Sequence, residues 1–397
     1  MKTILSTVIQ FVVCFALNAQ NLTYIDMAQA KFENKNAEEI FKDFEIVPLE
    51  THKNGLLIPR ASYYLTDKYI IGMNFLRNAY LFDRKTGAFI REISSYGRGP
   101  DEYEGLLYNQ YGFDEENNIL FAGVGNDKTW KCINIETNKV ESIVHKPLPE
   151  KNNNENFSAY APRLLKDSIY ISFCNNTTGK NKTKLIVYGK NGTLIKKYPN
   201  HLEYNPGNSR DRPFYYGIFY SYNGLTYFKE MNYNDTVFSV NEKAMSPHIV
   251  FKLGNKQPSY YHQRNEAYNK GKYFINFVYE SKSFILFNFS YSAETMEVLG
   301  STVLKRGFTH TAYYDKKRKQ VFISSTPDLK ESGGYNISGI PVRFYPMVIN
   351  KNKEMLAKID PAELIEYKDK IEAKYKDIFK NVQEDDNPVV IIAKLKE

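Results

Sequence analysis

Tyr69-Ile70-Ile71-Gly72-Met73, Ala79-Tyr80-Leu81-Phe82-Asp83, the turn Lys85-Thr86-Gly87 and Phe89-Ile90-Arg91-Glu92-Ile93 follow one another along the chain. Short runs rich in aromatic and β-branched residues, punctuated by turn formers, read as three strands of an antiparallel meander. The pattern returns at residues 118–122, 129–135 and 139–144, again at 168–173, 184–188 and 193–198, and again at 225–228, 236–240 and 248–253. Equivalent turns lie about 50 residues apart, the period of four-stranded propeller blades. Beyond them the repeat is less regular. Residues 273–279, 284–289 and 301–304 are assigned to a fifth blade, and 311–315 with 320–324 to a sixth.

The sixth blade is completed from both ends of the chain. Its third strand is Pro388-Val389-Val390-Ile391-Ile392-Ala393-Lys394-Leu395 and its fourth, outermost strand is Phe44-Glu45-Ile46-Val47-Pro48-Leu49-Glu50. Pairing the termini closes the ring and removes a free sheet edge, and Pro48 is tolerated on an outermost strand. The expectation is an all-β protein, a six-bladed β-propeller with one or two short helical insertions. One insertion covers about residues 360–382, where Asp360-Pro361-Ala362-Glu363 reads as a helix start and Leu364, Ile371, Tyr375, Ile378 and Val382 share a face. A weaker helical stretch runs over 259–268. No linker divides residues 21–397, so they form one domain.

Lys2 and the apolar run from Ile4 to Leu17, ending before Ala19, read as a signal peptide over residues 1–20. The run is shorter than the roughly 20 residues that span a bilayer, and no later stretch approaches that length. Cys14 follows Val13 within the apolar run, so a lipoprotein anchor is not expected. The chain is therefore read as exported, periplasmic or associated with the cell surface. Cys132 and Cys174 then remain, too few for a disulfide framework. Loss of Lys2 lowers the formal charge from +8 to +7. That excess is spread along the chain, so nucleic acid is not an expected partner and a monomer is.

Candidate binding residues come from three places. In the loop Gly97-Arg98-Gly99-Pro100-Asp101-Glu102-Tyr103 the glycines allow N–H groups to turn toward an anion, but no Lys-Ser/Thr ending or helix follows. Gly97, Gly99, Pro100 and Glu102 are assigned to the loop's architecture, and Arg98 and Tyr103 to ligand contact. The Tyr-rich stretch 214–222, behind Arg210-Asp211-Arg212, offers Arg212, Tyr215 and Tyr216, since aromatic faces stack on sugars as well as on one another. His310, before a blade strand, is the histidine best placed for a site. The six histidines show no metal-ligand spacing. The turn Asp114-Glu115-Glu116-Asn117-Asn118 lacks the alternate-position ligands and closing Glu of a calcium loop, and reads as a hairpin tip. No cofactor is expected, with calcium the one ion worth testing.

The loop at 97–103 resembles the G-x-G-P-x-E-Y element of six-bladed β-propeller proteins exported by Bacteroidetes, which are distantly similar to NHL-repeat propellers. Val47-Pro48-Leu49-Glu50, Asn234-Asp235-Thr236-Val237-Phe238 and Asn387-Pro388-Val389-Val390 match further elements of that family in the same order. The resemblance implies a six-bladed ring outside the cytoplasm and no assigned activity. No nucleophile elbow or acid/base pair stands out. The expected function is therefore non-enzymatic: a binding or scaffold propeller recognising a glycan, peptide or surface protein at one mouth of the ring. The alternative is a carbohydrate-active lyase or glycoside hydrolase whose residues converge on the central channel.

Overall fold

The computed structural model describes residues 22–74, 78–97, 99–103, 111–123, 128–147, 159–176, 178–204, 217–262, 266–298, 301–304 and 307–397. The expected signal peptide lies outside them. Six antiparallel sheets form the blades of a β-propeller. Blade one is Ser62–Leu65, Tyr69–Met73, Ala79–Asp83 and Phe89–Ile93, and blade two is Tyr111–Asp114, Ile119–Gly123, Thr129–Asn134 and Lys139–His145. Blade three is Ala159–Lys166, Ile169–Cys174, Thr183–Gly189 and Leu194–Pro199. Blade four is Gly217–Tyr222, Leu225–Glu230, Thr236–Val240 and Met245–Lys252. The first strands of blades two and three, three and four, four and five, and six and one lie against each other, which places first strands at the axis and fourth strands at the periphery.

The last two blades are built differently from the sequence assignment. Blade five is Tyr273–Glu280, Phe284–Tyr291, Phe308–Asp315 and Gln320–Ser324, so the two strands given to a sixth blade belong to the fifth. Ser301–Leu304 pairs instead with Thr295–Val298 in a hairpin inserted between blade five's second and third strands, and that insertion is what disturbs the repeat. Blade six is Val348–Ile349, Glu354–Ile359, Val389–Leu395 and Phe41–Pro48. Closure is as expected: Phe41 pairs with Leu395 and Pro48 with Val389, with Phe41–Pro48 on the edge.

A blade packs on both faces, so its middle strands are apolar at consecutive positions. In Val389–Leu395 the odd-numbered Val389, Ile391, Ala393 and Leu395 fill the seam with blade five, and Val390 and Ile392 fill the seam with blade one. The core is accordingly six separate clusters, one in each seam. Between blades two and three, fully buried Trp130 donates to the Tyr188 hydroxyl at 3.1 Å, and Cys132 and Cys174 sit in the same seam as buried thiols not joined in a disulfide.

Residues 23–48 form a strap over three successive blade edges. Thr23–Asp26 adds in parallel to the outer strand of blade four, and Lys31–Phe32 adds in parallel to that of blade five. A short helix, Ala37–Ile40, then leads into Phe41–Pro48. Ile25 and Met27 enter the seam between blades four and five, and Ala37, Ile40 and Phe41 the seam between five and six.

The insertion after Asp360 is helical but broken. Pro361–Glu366 and Ala373–Phe379 are helices separated by a single 3-10 turn, Lys368–Lys370. Ile371 is extended, and the Glu372 N–H donates to the Gly339 carbonyl at 2.9 Å instead of continuing the helix. The Asp360 carboxylate takes the Lys358 ammonium at 2.7 Å rather than a helix N–H. Leu364 and Ile371 are nonetheless buried against blades five and six, as the shared apolar face requires. In the stretch 259–268 the helix among the described residues is Glu266–Asn269.

Candidate functional site

The glycine-rich loop holds an anion of its own. Two short parallel strands, Ser95–Tyr96 and Glu102–Tyr103, bring its ends together, and the Glu102 Oε2 accepts the Gly99 N–H at 2.7 Å. A Cβ at Gly97 would stand 2.0 Å from that oxygen, so the glycine is required by the carboxylate beneath it. Lys131 Nζ donates to the carbonyls of Gly99, Pro100 and Glu102 at 2.7, 3.1 and 2.5 Å. The cradle is thus filled by Glu102 and locked from blade two. Glu102→Ala is expected to cost about 1–3 kcal/mol by leaving the Gly99 N–H without its acceptor. Glu102→Gln, which keeps an acceptor oxygen, should cost less, and chemical denaturation of the two variants checks the order.

Tyr103 is fully buried between blades one and two, where its hydroxyl oxygen accepts the Ala79 N–H at 3.1 Å and burial pushes its pKa up. That packing accounts for the aromatic without a ligand. His310 is also fully buried: it stacks on Phe289 with ring centroids 5.2 Å apart, and its Nδ1 lies 3.2 Å from the Ser325 hydroxyl. Burial lowers its pKa to about 4, so it is neutral near pH 7. Arg98, Arg212, Tyr215 and Tyr216 lie outside the described residues; of the two described candidates, Tyr103 sits between blades one and two and His310 in blade five.

The remaining family-like elements are stitches of the ring. Asn387 donates through Nδ2 to the Glu50 and Gly55 carbonyls, each at 2.8 Å, and accepts the Leu57 N–H at 2.8 Å. Glu50 accepts the Phe89 N–H of blade one at 2.8 Å. Asn234 joins a buried network between blades three and four. There Lys184 pairs with Glu230 Oε2, Asn234 Nδ2 donates to the same oxygen at 3.1 Å, and the Tyr260 hydroxyl donates to Glu230 Oε1 at 3.1 Å. Burial opposes the charge on Glu230, but Lys184 and these donors hold its carboxyl below the usual range. Beside it, fully buried Lys229 donates to the backbone carbonyls of Glu230, Asn234 and Ile275, and burial brings its pKa down to about 7.

Convergence of all blades occurs at the axis, on the side where first strands turn into second strands. Tyr64 of blade one stacks on Phe113 of blade two at 5.0 Å and meets Tyr111 edge-on at 6.4 Å. Arg163 of blade three donates through Nη2 to the hydroxyl of Ser221 in blade four. Tyr279 of blade five donates to the carbonyl of Met347, which leads into blade six, at 2.6 Å. Burial lowers the pKa of Arg163, while Asp114, Tyr64 and Glu115 act electrostatically in the other direction.

Glu115 reaches from the blade-two hairpin to blade six, where its Oε2 accepts the Lys351 N–H at 2.8 Å; its Oε1 is buried with no hydrogen-bond partner. Burial pushes this carboxyl up to about 7, against the opposing effect of the Lys351 N–H and ammonium. Lys351 is shared with Asp67 at 3.7 Å and Glu116 at 3.9 Å, and Asn352 Nδ2 donates to Asp67 Oδ1 at 2.5 Å. The turn read as a hairpin tip is indeed braced by Asp114, which accepts the Glu116 and Asn117 N–H groups at 3.1 and 3.4 Å. Among the described residues, no three His, Cys, Asp or Glu side chains gather to hold a metal ion.

A raised carboxyl has a defined linkage sign. Glu115 binds its proton more tightly folded than unfolded, so its contribution to stability is complete below its ordinary value of 4.5 and is lost as pH rises through about 7. Glu115→Gln is expected to abolish this dependence and to melt above the parent at about pH 8 but not at about pH 4. Parallel melting curves for the two proteins across that range would contradict it.

A family model described as a domain of unknown function (DUF4934) matches residues 22–394. The crystal structure of BF0058 from Bacteroides fragilis NCTC 9343, described as an exported protein, superposes with a TM-score of 0.67 at 14% identity, covering 95% of this chain and 100% of its own. A DUF4221-family protein from Bacteroides vulgatus ATCC 8482 superposes with a TM-score of 0.51 at 11% identity, covering 90% of this chain and 99% of its own. At these identities the likeness is one of fold. No curated protein sequence matches the chain.

Proposed function

The chain belongs to the DUF4934 family, and we propose that it is a non-enzymatic binding or scaffold propeller of the periplasm or cell surface. Its ligand is a glycan, a peptide or a surface protein, taken at one mouth of the ring. The observation that carries this reading is the cluster of first-strand residues at the axis, where the Arg163 guanidinium of blade three donates to the Ser221 hydroxyl of blade four, Glu115 of blade two reaches to Lys351 of blade six, and Tyr64 of blade one stacks on Phe113 of blade two. A few convergent polar groups above an aromatic base are what a recognition site uses to orient a ligand. The signal-like residues 1–20, together with the exported fold relative from Bacteroides fragilis, support the compartment.

Arrays of glycans and peptides, probed with the full protein with and without calcium, test the function. Retained ligands should be lost on Arg163→Met or Glu115→Gln and should emerge chemically unchanged. A bound glycan that is cleaved would replace the binding role with an enzymatic one. Capture indifferent to both substitutions would move the site away from this mouth.

A further inference from the structure

The insertion joining the outer strand of blade four to the first strand of blade five, residues 253–272, lies at the end of the ring opposite the turns between first and second strands. It turns aromatic rings outward. Tyr261 is 51% exposed and Tyr268 48%. His262 touches both: its ring stacks on Tyr268 with centroids 3.8 Å apart and planes within 6°, and meets Tyr261 edge-on at 4.9 Å and 79°. The three rings form one platform, with two half-open tyrosines set nearly at right angles.

The backbone beneath fixes this arrangement. Fully buried Asn269 accepts the Ser259 N–H at 3.0 Å and donates to the His262 carbonyl at 2.7 Å. The Ser259 hydroxyl accepts the His262 N–H at 3.1 Å and lies 3.1 Å from His262 Nδ1. Tyr260 points inward, where its hydroxyl donates to Glu230 Oε1 at 3.1 Å, so one tyrosine anchors the loop and the next is offered to solvent. Rings held in place before a ligand arrives spare it the entropy of ordering them.

The ring faces select the shape of a partner, and the charges around them select its sign. One side of a pyranose presents mainly C–H groups, which the negative face of an aromatic ring attracts, while hydroxyls radiate from the rim. The insertion carries Lys256, Arg264, Lys270 and Lys272 against one acid, Glu266. Lys272 donates to the Asn255 carbonyl at 2.5 Å, Lys256 stands over the Tyr291 ring at 5.5 Å, and Lys270 is exposed two residues beyond Tyr268. Lysines at the other end of the ring are matched by carboxylates, as Lys68 is by Glu136 and Lys166 by Glu242. An apolar protein surface docked on the platform would bury its cations unpaired. We propose that Tyr261, His262 and Tyr268 form a second binding site, for an acidic glycan whose sugar ring lies on a tyrosine face and whose carboxylate or sulfate is met by Lys270 and its neighbours.

Calorimetric titration of the full protein tests this with trigalacturonate, acidic through carboxylates, and a κ-carrageenan tetrasaccharide, acidic through sulfates. Cellotriose serves as the neutral sugar and tri-glutamate as the acid without a pyranose. At least one acidic oligosaccharide should bind about tenfold more tightly than either control. Tyr268→Ala should weaken that binding about tenfold, Tyr268→Phe should keep it, and replacing Tyr261 and Tyr268 together by Ala should abolish it. Lys270→Gln should weaken it and flatten its dependence on salt. Melting curves confirm that each variant is folded.

Tri-glutamate bound as tightly as the acidic sugars would reduce the platform to a patch of lysines, and cellotriose bound as tightly would remove the acid from the specificity; either result overturns the inference. So does failure of both acidic oligosaccharides, or binding indifferent to the double replacement. Arg163→Met, at the other end of the ring, should leave the affinity unchanged. An acidic glycan lost on Arg163→Met and kept by the double variant would refute this site while supporting the axial one.

Discussion

Glu230→Ala is expected to be among the most destabilising single substitutions in the ring, costing about 3–5 kcal/mol. Removing the carboxylate strands Lys184, which is 4% exposed, as a buried ammonium with no counter-charge. It also deprives Asn234 and Tyr260 of their acceptor, so the loss spreads across the seam between blades three and four. Breaking a buried pair costs far more than the pair contributes over an apolar replacement, because each ion was already desolvated. The double change Lys184→Met with Glu230→Leu should therefore recover much of the loss. Denaturant titration of the two single variants and the double variant checks it; a double variant as unstable as the sum of the singles would contradict the account.

Deleting residues 22–33 should lower the melting temperature and turn the protein into a species that associates with rising concentration. The deletion uncovers the edges at Ile249–Lys252 and Phe322–Ile323, where the strap now pairs in parallel. Apart from Lys252 at its end, the uncovered stretch is apolar, whereas the outer strands left uncovered carry more charge: Arg91 and Glu92 in blade one, Lys139 and Glu141 in blade two, Lys196 and Lys197 in blade three. Charge on a free edge blocks pairing with another chain, and an apolar edge without it invites such pairing. Ile25→Ala provides the contrast. It should lose about 2–5 kcal/mol of packing while the strap still covers the edges, and so keep the parent's state of association. Light scattering behind size-exclusion chromatography separates the two effects, and a deletion protein with the parent's mass at every concentration and an unchanged melting temperature would rule out the protective role.

Second and third strands were legible because a blade buries both of their faces: Ile70-Ile71 and Val389 to Ala393 announce themselves as apolar runs. The axial strands were harder. Tyr111–Asp114 contains Gly112 and Ala159–Lys166 contains Pro162, residues that argue against a strand. The glycine follows from crowding at the axis, where a Cβ on Gly112 would come within 2.2 Å of the Pro162 carbonyl oxygen. Glu354–Ile359 was missed for another reason: Glu, Met, Leu, Ala and Lys are helix formers, and pairing on both sides within blade six overrides their preference.

The candidate site was less legible than the fold. Arg163, Ser221, Tyr64 and Glu115 stand in four blades, separated by whole repeats, so no local spacing announces them. A hint lay in the Asp114 to Asn118 turn, whose second acidic residue turns inward across the axis instead of toward water. The Gly97 to Tyr103 loop had the opposite character. It is locally conspicuous, yet its glycines serve an internal carboxylate.

The pairing of Phe41–Pro48 with Val389–Leu395 also dictates the order of events as the molecule is made. A nascent chain emerges from its N-terminus, and the contacts of one repeat with the next form over short sequence distances. The clasp cannot engage until residues 389–395 have been delivered. Until then the arc is open at one seam, and Phe41–Pro48 waits with its partner edge bare. A strand that waits this long is the part of the protein most exposed to wrong pairing during synthesis. Its Pro48 and the kink at Asp43, where φ is 55°, interrupt the regular edge during that wait.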